Sequence, residues 1–541
     1  MSLPPTALTN RQIARAAVTV LLGFVASGAL GLIRDAVVTS TFGASAVLDS
    51  FTYAQRIPEL LFVLVAGGAL GSSFIPIFAR FLQNRDTVGA WRLASAVMTL
   101  ALLVAALLAI VMALAAQPIV SGLITPDAPA ELQNLTTTLT QIMLLTVPIF
   151  SVSGLLMGVL NAHQLFTLPA LAAAMYNVGQ IFGALVLART LPALVVQGES
   201  HANIYGLAWG TVIGAVLHLA VQLPGLRRVG AHFRFLPNFN IPGTREVLLM
   251  MGPRVLGLAV VQINFLVNVA LAYPPRMIAG SASVFTQAWK LMFFVLGPVA
   301  QSVGTALFPS LSALAAAGDH DAYKDRLASA MRGVLFLALP AAVGLIVLGE
   351  PVIRVLFERG LWTFEHSVAA AWALSLLAIG MPGHALLEVL ARAFYALEDT
   401  RTPVFVGVAA MIVNITLSII LVRFVGNPDE LARGAFAGLA LANSLTTLLE
   451  SGVLWLLLRR RIGWKDDAGV ISTSVRAALA AIGMGALIWW VMGYLSGNSV
   501  WVQVIIGVPL GIAVFFGLAL LLRVNEASAL PTLLLRRFKR S

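Results

Sequence analysis

Apolar stretches of helix length recur from one end of this 541-residue chain to the other. Hydrophobic residues make up 59% of the sequence and charged residues 11%, whereas a typical soluble domain has about 25% charged residues. The stretches lack the alternating polarity of transmembrane β-strands. The sequence therefore predicts an all-α integral membrane protein whose helices of about 20 residues each cross the bilayer.

The stretches number 14 and fall into three groups. The first six lie near 13–39, 47–79, 90–123, 132–160, 165–188 and 203–226; the next six near 246–272, 282–314, 327–357, 364–395, 402–424 and 432–458; the last two near 470–495 and 499–523. We predict 14 transmembrane helices in two pseudo-symmetric six-helix lobes, residues 1–228 and 240–461. A C-terminal helix pair at 469–523 and a basic cytoplasmic tail at 524–541 would follow.

The net charge of +11 comes from cations that cluster in alternate loops. The rich loops contain Arg80, Arg85, Arg92, Arg227, Arg228, Arg234, Arg245, Lys324, Arg326, Arg459, Arg460, Arg461 and Lys465. By the positive-inside rule these loops and both termini are cytoplasmic. The pattern explains the high pI without nucleic acid, and the basic tail is suited to anionic lipid headgroups. The chain has no cysteine, which excludes disulfides and thiolate metal sites.

A repeat links the two halves of the chain. Residues 51–56 read FTYAQR and residues 285–290 read FTQAWK, so a shift of 234 places Arg56 on Lys290. The same shift places Pro148 on Pro382. Each unit would hold six spans, an even number, so both halves enter the membrane in the same direction, as in transporters built from parallel repeats.

The repeat puts a cation at the same place on the second helix of each half. A cation that faces lipid at mid-depth costs about 2.5–3.5 kcal/mol even on the milder insertion scale. We therefore predict that Arg56 and Lys290 approach each other across a hydrated central cleft and meet an anion there. The alternatives are that either cation reaches an interface or forms an ion pair with Asp49 or Glu59.

Three further charges are candidate site residues. Arg34 and Asp35 lie late in the first span, in SGALGLIRDAVV. Adjacent helical residues point about 100° apart, so no face-to-face pair is expected. Asp35 is instead a candidate partner of Arg56 and Arg34 a candidate cleft residue; the alternative places both at the outer interface. Arg254 begins the seventh span as a cytoplasmic anchor, which we favour, or as a cleft residue.

Catalytic and metal-binding patterns are absent from the sequence. The chain has no GxxxxGK[ST] phosphate loop and no nucleophile elbow. His218 and His384 are single histidines with no evident partner, and neither belongs to an H-E-x-x-H pattern. Glu350–Arg354 and Glu388–Arg392 have the spacing of intrahelical ion pairs. We predict no enzyme activity, no metal and no cofactor.

Several segments resemble the MurJ (MviN) family of lipid II flippases, within the multidrug, oligosaccharidyl-lipid and polysaccharide exporters. They are RDAVVTSTFGASAVLDSFTYAQRIPELL, FIPIFARF, LFPSLSAL, LFERGLWT and, most specifically, FYALEDTRTP at 394–403. The resemblance covers nearly the whole chain. It implies a two-lobed bundle of 14 helices that turns undecaprenyl-diphosphate-linked peptidoglycan precursor from the inner to the outer leaflet by alternating access.

The resemblance also implies substrate-binding residues and partners. Matching motifs place Arg34, Asp35, Asp49, Arg56 and Lys290 where the family keeps polar cleft residues, and Arg254 is added as a candidate. Partners would be the lipid-linked precursor, membrane lipids and the cell-wall synthesis machinery. The chain departs from the family pattern at Gly28, Phe62 and Val63, where the family often has arginine, and at Phe293, where it has a polar residue.

Two other functions remain open from the sequence. One is a cation-coupled exporter of drugs or of another polyprenyl-linked saccharide, which shares the fold. A cation site should show an acidic cluster in one lobe, whereas the central charges here lean basic. The other is a transport-inactive membrane scaffold, because several of the family's cations are missing.

Overall fold

A computed structural model describes residues 10–65, 68–250, 277–464 and 468–527. Nearly all elements in these ranges are helices. Within them, nine helices are long and apolar enough to cross a membrane, or ten if one bent pair counts as a single span. The prediction of a helical membrane protein is therefore confirmed for the described residues, and the count of 14 spans stays a prediction.

The chain forms two compact units. The first contains the described residues up to 250 together with 359–362, and the second contains the other described residues from 277 onward. The lobe boundaries predicted above at 228 and 240 are not tested by this division. Arg254 lies outside the described residues.

The described residues of the first unit form eleven helices and one hairpin. The helices are α1 (Asn10–Phe42), α2 (Ala46–Ala54), α3 (Arg56–Val65), α4 (Gly68–Gln83), α5 (Thr87–Ile119), α6 (Ala130–Leu144), α7 (Thr146–Ala162), α8 (Thr167–Phe182), α9 (Ala188–Thr190), α10 (Ile204–Ala220) and α11 (Leu223–Arg228). One π-turn follows α5 at Val120–Ile124 and another joins α8 to α9 at Gly183–Leu187. The strands β1 (Leu194–Val196) and β2 (Glu199–His201) pair antiparallel.

The second unit contains the remaining eight helices. They are α12 (Ser281–Ala316), α13 (His320–Phe357), α14 (Phe364–Ile379), α15 (Met381–Ala396), α16 (Arg401–Leu421), α17 (Ala437–Arg461), α18 (Ala468–Leu495) and α19 (Val500–Leu521). The last two pack on α13 through a core that includes Phe336, Ala481 and Phe515.

Both units interrupt one helix at corresponding places. α6 ends and α7 begins around Leu145, and α14 and α15 meet at Gly380 with a 45° bend. Pro148 and Pro382, which the 234-residue shift aligns, follow these breaks and cannot donate a backbone hydrogen bond to the preceding turn. Each half of the repeat therefore has a proline just after a helix break, and the second unit bends there by 45°.

In the second unit, a hydroxyl group forms hydrogen bonds with the backbone at the helix break. The Gly380 backbone N–H donates to Ser444 Oγ at 3.0 Å, and Ser444 Oγ donates to the Leu376 carbonyl at 2.6 Å. A Cβ on Gly380 would lie 2.6 Å from Ser444 Cα, so the close approach of α17 requires glycine here. The bend is thus a packed feature of the fold.

The predicted second span at 47–79 is wrong as one continuous helix. The described residues form α2, α3 and α4, with a break at Gln55. Pro58 explains this break, because its ring clashes with the Ala54 carbonyl and removes one backbone donor. Its counterpart in the repeat is Met292, and α12 runs unbroken through that position. Arg56 therefore begins a helix, whereas Lys290 lies inside one.

The two predicted intrahelical ion pairs are confirmed. Glu388 and Arg392 lie 2.8 Å apart, and Glu350 and Arg354 lie 3.6 Å apart. Arg354 also pairs with Glu358 at 2.7 Å.

A hydrogen-bonded aspartate organises the FYALEDTRTP segment. Asp399 accepts from the Arg401 N–H at 3.1 Å, the Thr402 N–H at 3.0 Å and the Thr402 hydroxyl at 2.7 Å. It also forms an ion pair with Arg461 at the end of α17. Burial alone would raise the pKa of Asp399, but the bonds from Thr402 and the charge of Arg461 outweigh it and lower that pKa.

We expect Asp399→Ala to destabilise the second unit by about 1–3 kcal/mol, the scale of a lost helix cap and an unpaired partner. A folded-state pKa below the unfolded one stabilises above the unfolded pKa and is lost as pH falls through the folded value. Thermal unfolding at pH 7 and in acid checks both points. Relative to wild type, the variant should unfold at a lower temperature at pH 7, and this difference in unfolding temperature should be smaller in acid. Exposed Asp429→Ala is the control, and equal unfolding temperatures for both variants would contradict the assignment.

Candidate functional site

The first unit contains a buried charge cluster that begins at Arg34. Its Nη1 donates to Asn177 Oδ1 at 2.9 Å, while Nε and Nη2 donate to Asp35 Oδ1 at 3.1 and 2.9 Å. The expectation that Arg34 and Asp35 would not pair is therefore wrong. The long arginine side chain folds back along the helix to reach its neighbour, and Asn177 on α8 holds its other nitrogen.

Arg56 forms a second buried ion pair. Its side chain is 7% exposed, and Nη1 donates to Glu59 Oε2 at 2.9 Å, one helical turn further along α3. Glu59 was one of the two partners considered from the sequence. Because its own side chain is 47% exposed, the pair has one buried end and one accessible end. Asp49, the other partner considered, is buried in the first turn of α2.

Tyr176 on α8 lies in the same part of the first unit as these two pairs, and the charges of Arg34 and Glu59 both act on its hydroxyl group. The same hydroxyl accepts from Gln180 Nε2 at 3.1 Å, and Gln180 Nε2 also donates to Thr211 Oγ1 on α10 at 3.1 Å. Tyr176 and Gln180 were not predicted from the sequence, because a tyrosine and a glutamine in an apolar stretch carry no charge to mark them.

The position of α8 depends on a glycine seam with α10. A Cβ on Gly179 would lie 2.2 Å from Gly214 Cα, and a Cβ on Gly210 would lie 2.5 Å from Gly183 Cα. Small residues spaced by four allow such close backbone contact between membrane helices. The seam places Tyr176, Asn177 and Gln180 in the cluster.

Aromatic rings meet at Phe150 beside these charges. Phe150 contacts Phe62 at a centroid distance of 5.1 Å, Tyr176 at 5.4 Å and His218 at 5.2 Å. Phe62 stands where the family resemblance implies a cation. This wall of the first unit is therefore apolar in this chain.

His218 has partners that the sequence did not reveal. Gln222 Nε2 donates to the His218 carbonyl at 2.9 Å and to Ser153 Oγ at 2.6 Å. A carbonyl can only accept, so the amide nitrogen of Gln222 faces both oxygens, and Ser153 Oγ lies 2.7 Å from His218 Nδ1. The inference that His218 lacks a partner is wrong.

The second unit carries the other predicted cation among aromatic rings. Lys290 is half-buried in α12. On the same helix, Trp289 contacts Phe293 at 4.9 Å, and both rings contact His384 at 5.9 and 5.3 Å. His384 is hydrogen-bonded to Asn443 at 3.1 Å, so it too has the partner that the sequence did not show. Phe293 stands where the family resemblance implies a polar residue, and it makes aromatic contacts instead.

The arrangement suits reversible binding of an anion. Arg34 and Arg56 each have a carboxylate that offsets the cost of burial, and an incoming anionic group can compete for the same guanidinium groups. Among the described residues, no group of three or more histidine, aspartate and glutamate side chains is placed to hold a metal ion.

Comparisons with known proteins agree on one family. The family model described as lipid II flippase MurJ matches residues 38–509. The lipid II flippase MurJ of Burkholderia cenocepacia is 32% identical over 484 residues, 88% of this chain and 89% of that protein. A probable lipid II flippase MurJ of Vibrio cholerae is 29% identical and covers 95% of this chain and 97% of its own length.

Solved structures show the same fold. A lipid II flippase MurJ in an inward closed conformation aligns with a TM-score of 0.71 at 21% identity, over 92% of this chain and 98% of that chain. An inward-facing multidrug resistance MATE family transporter of the MOP superfamily aligns with a TM-score of 0.64 at 14% identity, over 81% and 94% of the two chains. With the family model matched over most of its length, the chain belongs to the MurJ family of lipid II flippases.

Proposed function

We propose that this protein moves lipid II, the undecaprenyl-diphosphate-linked peptidoglycan precursor, from the inner to the outer leaflet by alternating access. The observation that carries the proposal is the ion pair of Arg56 and Glu59, whose guanidinium group is buried in the first unit while its carboxylate is half-exposed. Guanidinium groups bind diphosphate oxygens through strong charge-assisted hydrogen bonds. Membership of the MurJ family supplies the substrate.

The proposed topology follows the sequence analysis. The protein has 14 transmembrane helices in a bacterial plasma membrane, with both termini cytoplasmic. Residues 1–228 and 240–461 form the lobes, 469–523 the C-terminal helix pair and 524–541 a basic tail. Membrane lipids surround it, and the cell-wall synthesis machinery, which consumes the exported precursor, is its proposed protein partner.

The site residues have distinct proposed roles. Arg34, Arg56 and Lys290 bind the diphosphate, and Arg254 is either a further ligand or a cytoplasmic anchor. Asp35 and Glu59 hold the arginine side chains between transport events, and Asp49 adds a buried negative charge on α2. The polyprenyl tail remains in lipid along the C-terminal helix pair.

Complementation of a flippase-depleted bacterial strain tests the function. We expect this chain to restore growth, because its fold and family are those of a lipid II flippase. The two alternatives predict no rescue: an exporter of drugs or other saccharides leaves the precursor inside, and a scaffold moves nothing. Wild-type protein that is correctly inserted in the membrane yet fails to rescue would refute the proposal.

Membrane potential should set the direction of transport. Each negative charge that moves outward across an inside-negative membrane gains about 2.3 kcal/mol per 100 mV. We therefore expect flipping of labelled lipid II in vesicles to accelerate under an inside-negative potential and to slow when the potential is reversed. A rate that does not depend on the sign of the potential would exclude potential-driven export.

A further inference from the structure

Glu450 lies in the interior of α17, the helix at 437–461. It precedes Arg459, the first residue of the basic run that ends the helix, by nine residues, or about 14 Å of helix. With a hydrocarbon core about 30 Å thick, this distance places the carboxyl group near the middle of the membrane. A titratable group at that depth is a candidate functional site.

The Glu450 side chain packs on the neighbouring helix α16. A Cβ built on Gly407 of α16 would lie 3.6 Å from Glu450 Oε1, so the carboxyl group rests against a glycine. Another contact between these helices occurs three turns earlier on α17, where a Cβ on Gly438 would lie 2.6 Å from the Leu421 carbonyl carbon. Gly438, Ala442, Thr446 and Glu450 form a stripe at intervals of four residues along this seam.

The seam also buries a hydroxyl group without a partner. Thr446 lies one turn before Glu450 on the same stripe and is 4% exposed, and its Oγ1 has no hydrogen-bond partner among the described residues. In the described part of the chain, Glu450 itself takes part in no ion pair or hydrogen bond. The unpartnered carboxyl group and the unpartnered hydroxyl group lie one turn apart, and of the two only the carboxyl group can take up a proton near neutral pH.

Other charged groups on the helices around α17 are engaged elsewhere or lie at helix ends. The titratable and charged groups on α14, α15 and α16 are Glu365, His366, His384, Glu388, Arg392, Tyr395 and Arg401. His384 bonds Asn443, and Glu388 pairs with Arg392. Arg401 is the first residue of α16, six residues before Gly407, and Glu365 and His366 lie in the first turn of α14.

We propose that Glu450 is an intramembrane proton-binding site, which holds a proton at neutral pH and releases it in alkaline solution. Burial away from water favours the neutral form of a carboxyl group, and no cation in the described seam opposes this preference. The neutral form allows α16 to pack against α17, and the ionised form brings water into the seam. The proposal does not depend on the identity of the transported molecule.

Infrared difference spectroscopy on the full-length protein in lipid vesicles tests this site. At pH 7, wild type minus Glu450→Gln should show the C=O stretch of a protonated carboxylic acid, and this band should decrease as the pH is raised to 10. Glu388→Gln is the matched control: its carboxylate is paired with Arg392, so the difference should show an ionised carboxylate. If Glu450→Gln instead removes a carboxylate band at pH 7, the proposal is overturned.

Discussion

Arg56→Ala combined with Lys290→Ala should reduce lipid II flipping by about a hundredfold or more and abolish rescue of a flippase-depleted strain. Each cation is expected to contribute a charge-assisted hydrogen bond to the diphosphate, on the order of 1.5–3 kcal/mol. Two such losses total about 3–6 kcal/mol, and every 1.4 kcal/mol is a factor of ten. Flipping rate per folded molecule in vesicles is the measurement.

Two control variants separate charge from structure. Glu59→Gln removes the carboxylate that pairs with Arg56 but keeps the guanidinium group, so flipping should persist. Arg85→Ala removes a cation from an exposed turn and should change nothing. If the folded double variant flips lipid II at the wild-type rate, neither cation belongs to the binding site.

Gly210→Val should prevent the first unit from folding. The first side-chain carbon would lie 2.5 Å from Gly183 Cα, and neither backbone can move without separating α8 from α10. Overpacking a core by a few atoms already costs about 1–3 kcal/mol, and a contact with backbone on both sides should exceed that range.

The displacement of α8 would also affect the proposed binding site. Separation of the two helices would move Tyr176 and Asn177 away from Arg34, so even a partly folded variant should lose flipping. Yield of monodisperse protein and its thermal unfolding temperature are the measurements. Gly344→Val is the matched control, because that glycine lies in a membrane helix with nothing within 4 Å of a new Cβ. Equal unfolding temperatures for the two variants would show that the seam tolerates side chains.

The sequence predicts the class of fold well because the bilayer restricts the choices. Helix-length apolar stretches specify membrane helices, and the shift that aligns Pro148 with Pro382 reveals the repeat. The helix break before Arg56 was not predicted, although Pro58 lies in this stretch. A proline is tolerated in the first turn of a helix, and Pro58 lies in the first turn of α3, whereas the prediction placed it inside one long span.

The binding site was predicted only where charge marks it. Arg34, Asp35 and Arg56 stand out in an apolar stretch, but their partners Asn177 and Tyr176 lie about 140 residues away in sequence. Pairing with Asp35 depends on the rotamer of Arg34, which helical spacing alone does not give. The hydrogen bonds of His218 likewise connect residues on separate helices. Such contacts follow from the packing of helices through glycine, which a single sequence does not reveal.

Transport of lipid II by this protein is tested with purified protein in liposomes that contain fluorescently labelled lipid II. We expect labelled headgroups to become accessible from the opposite face of the membrane at a rate well above that of protein-free vesicles. With the combined Arg56→Ala and Lys290→Ala variant, the rate should fall to that of protein-free vesicles. A wild-type rate equal to that of protein-free vesicles would contradict the account.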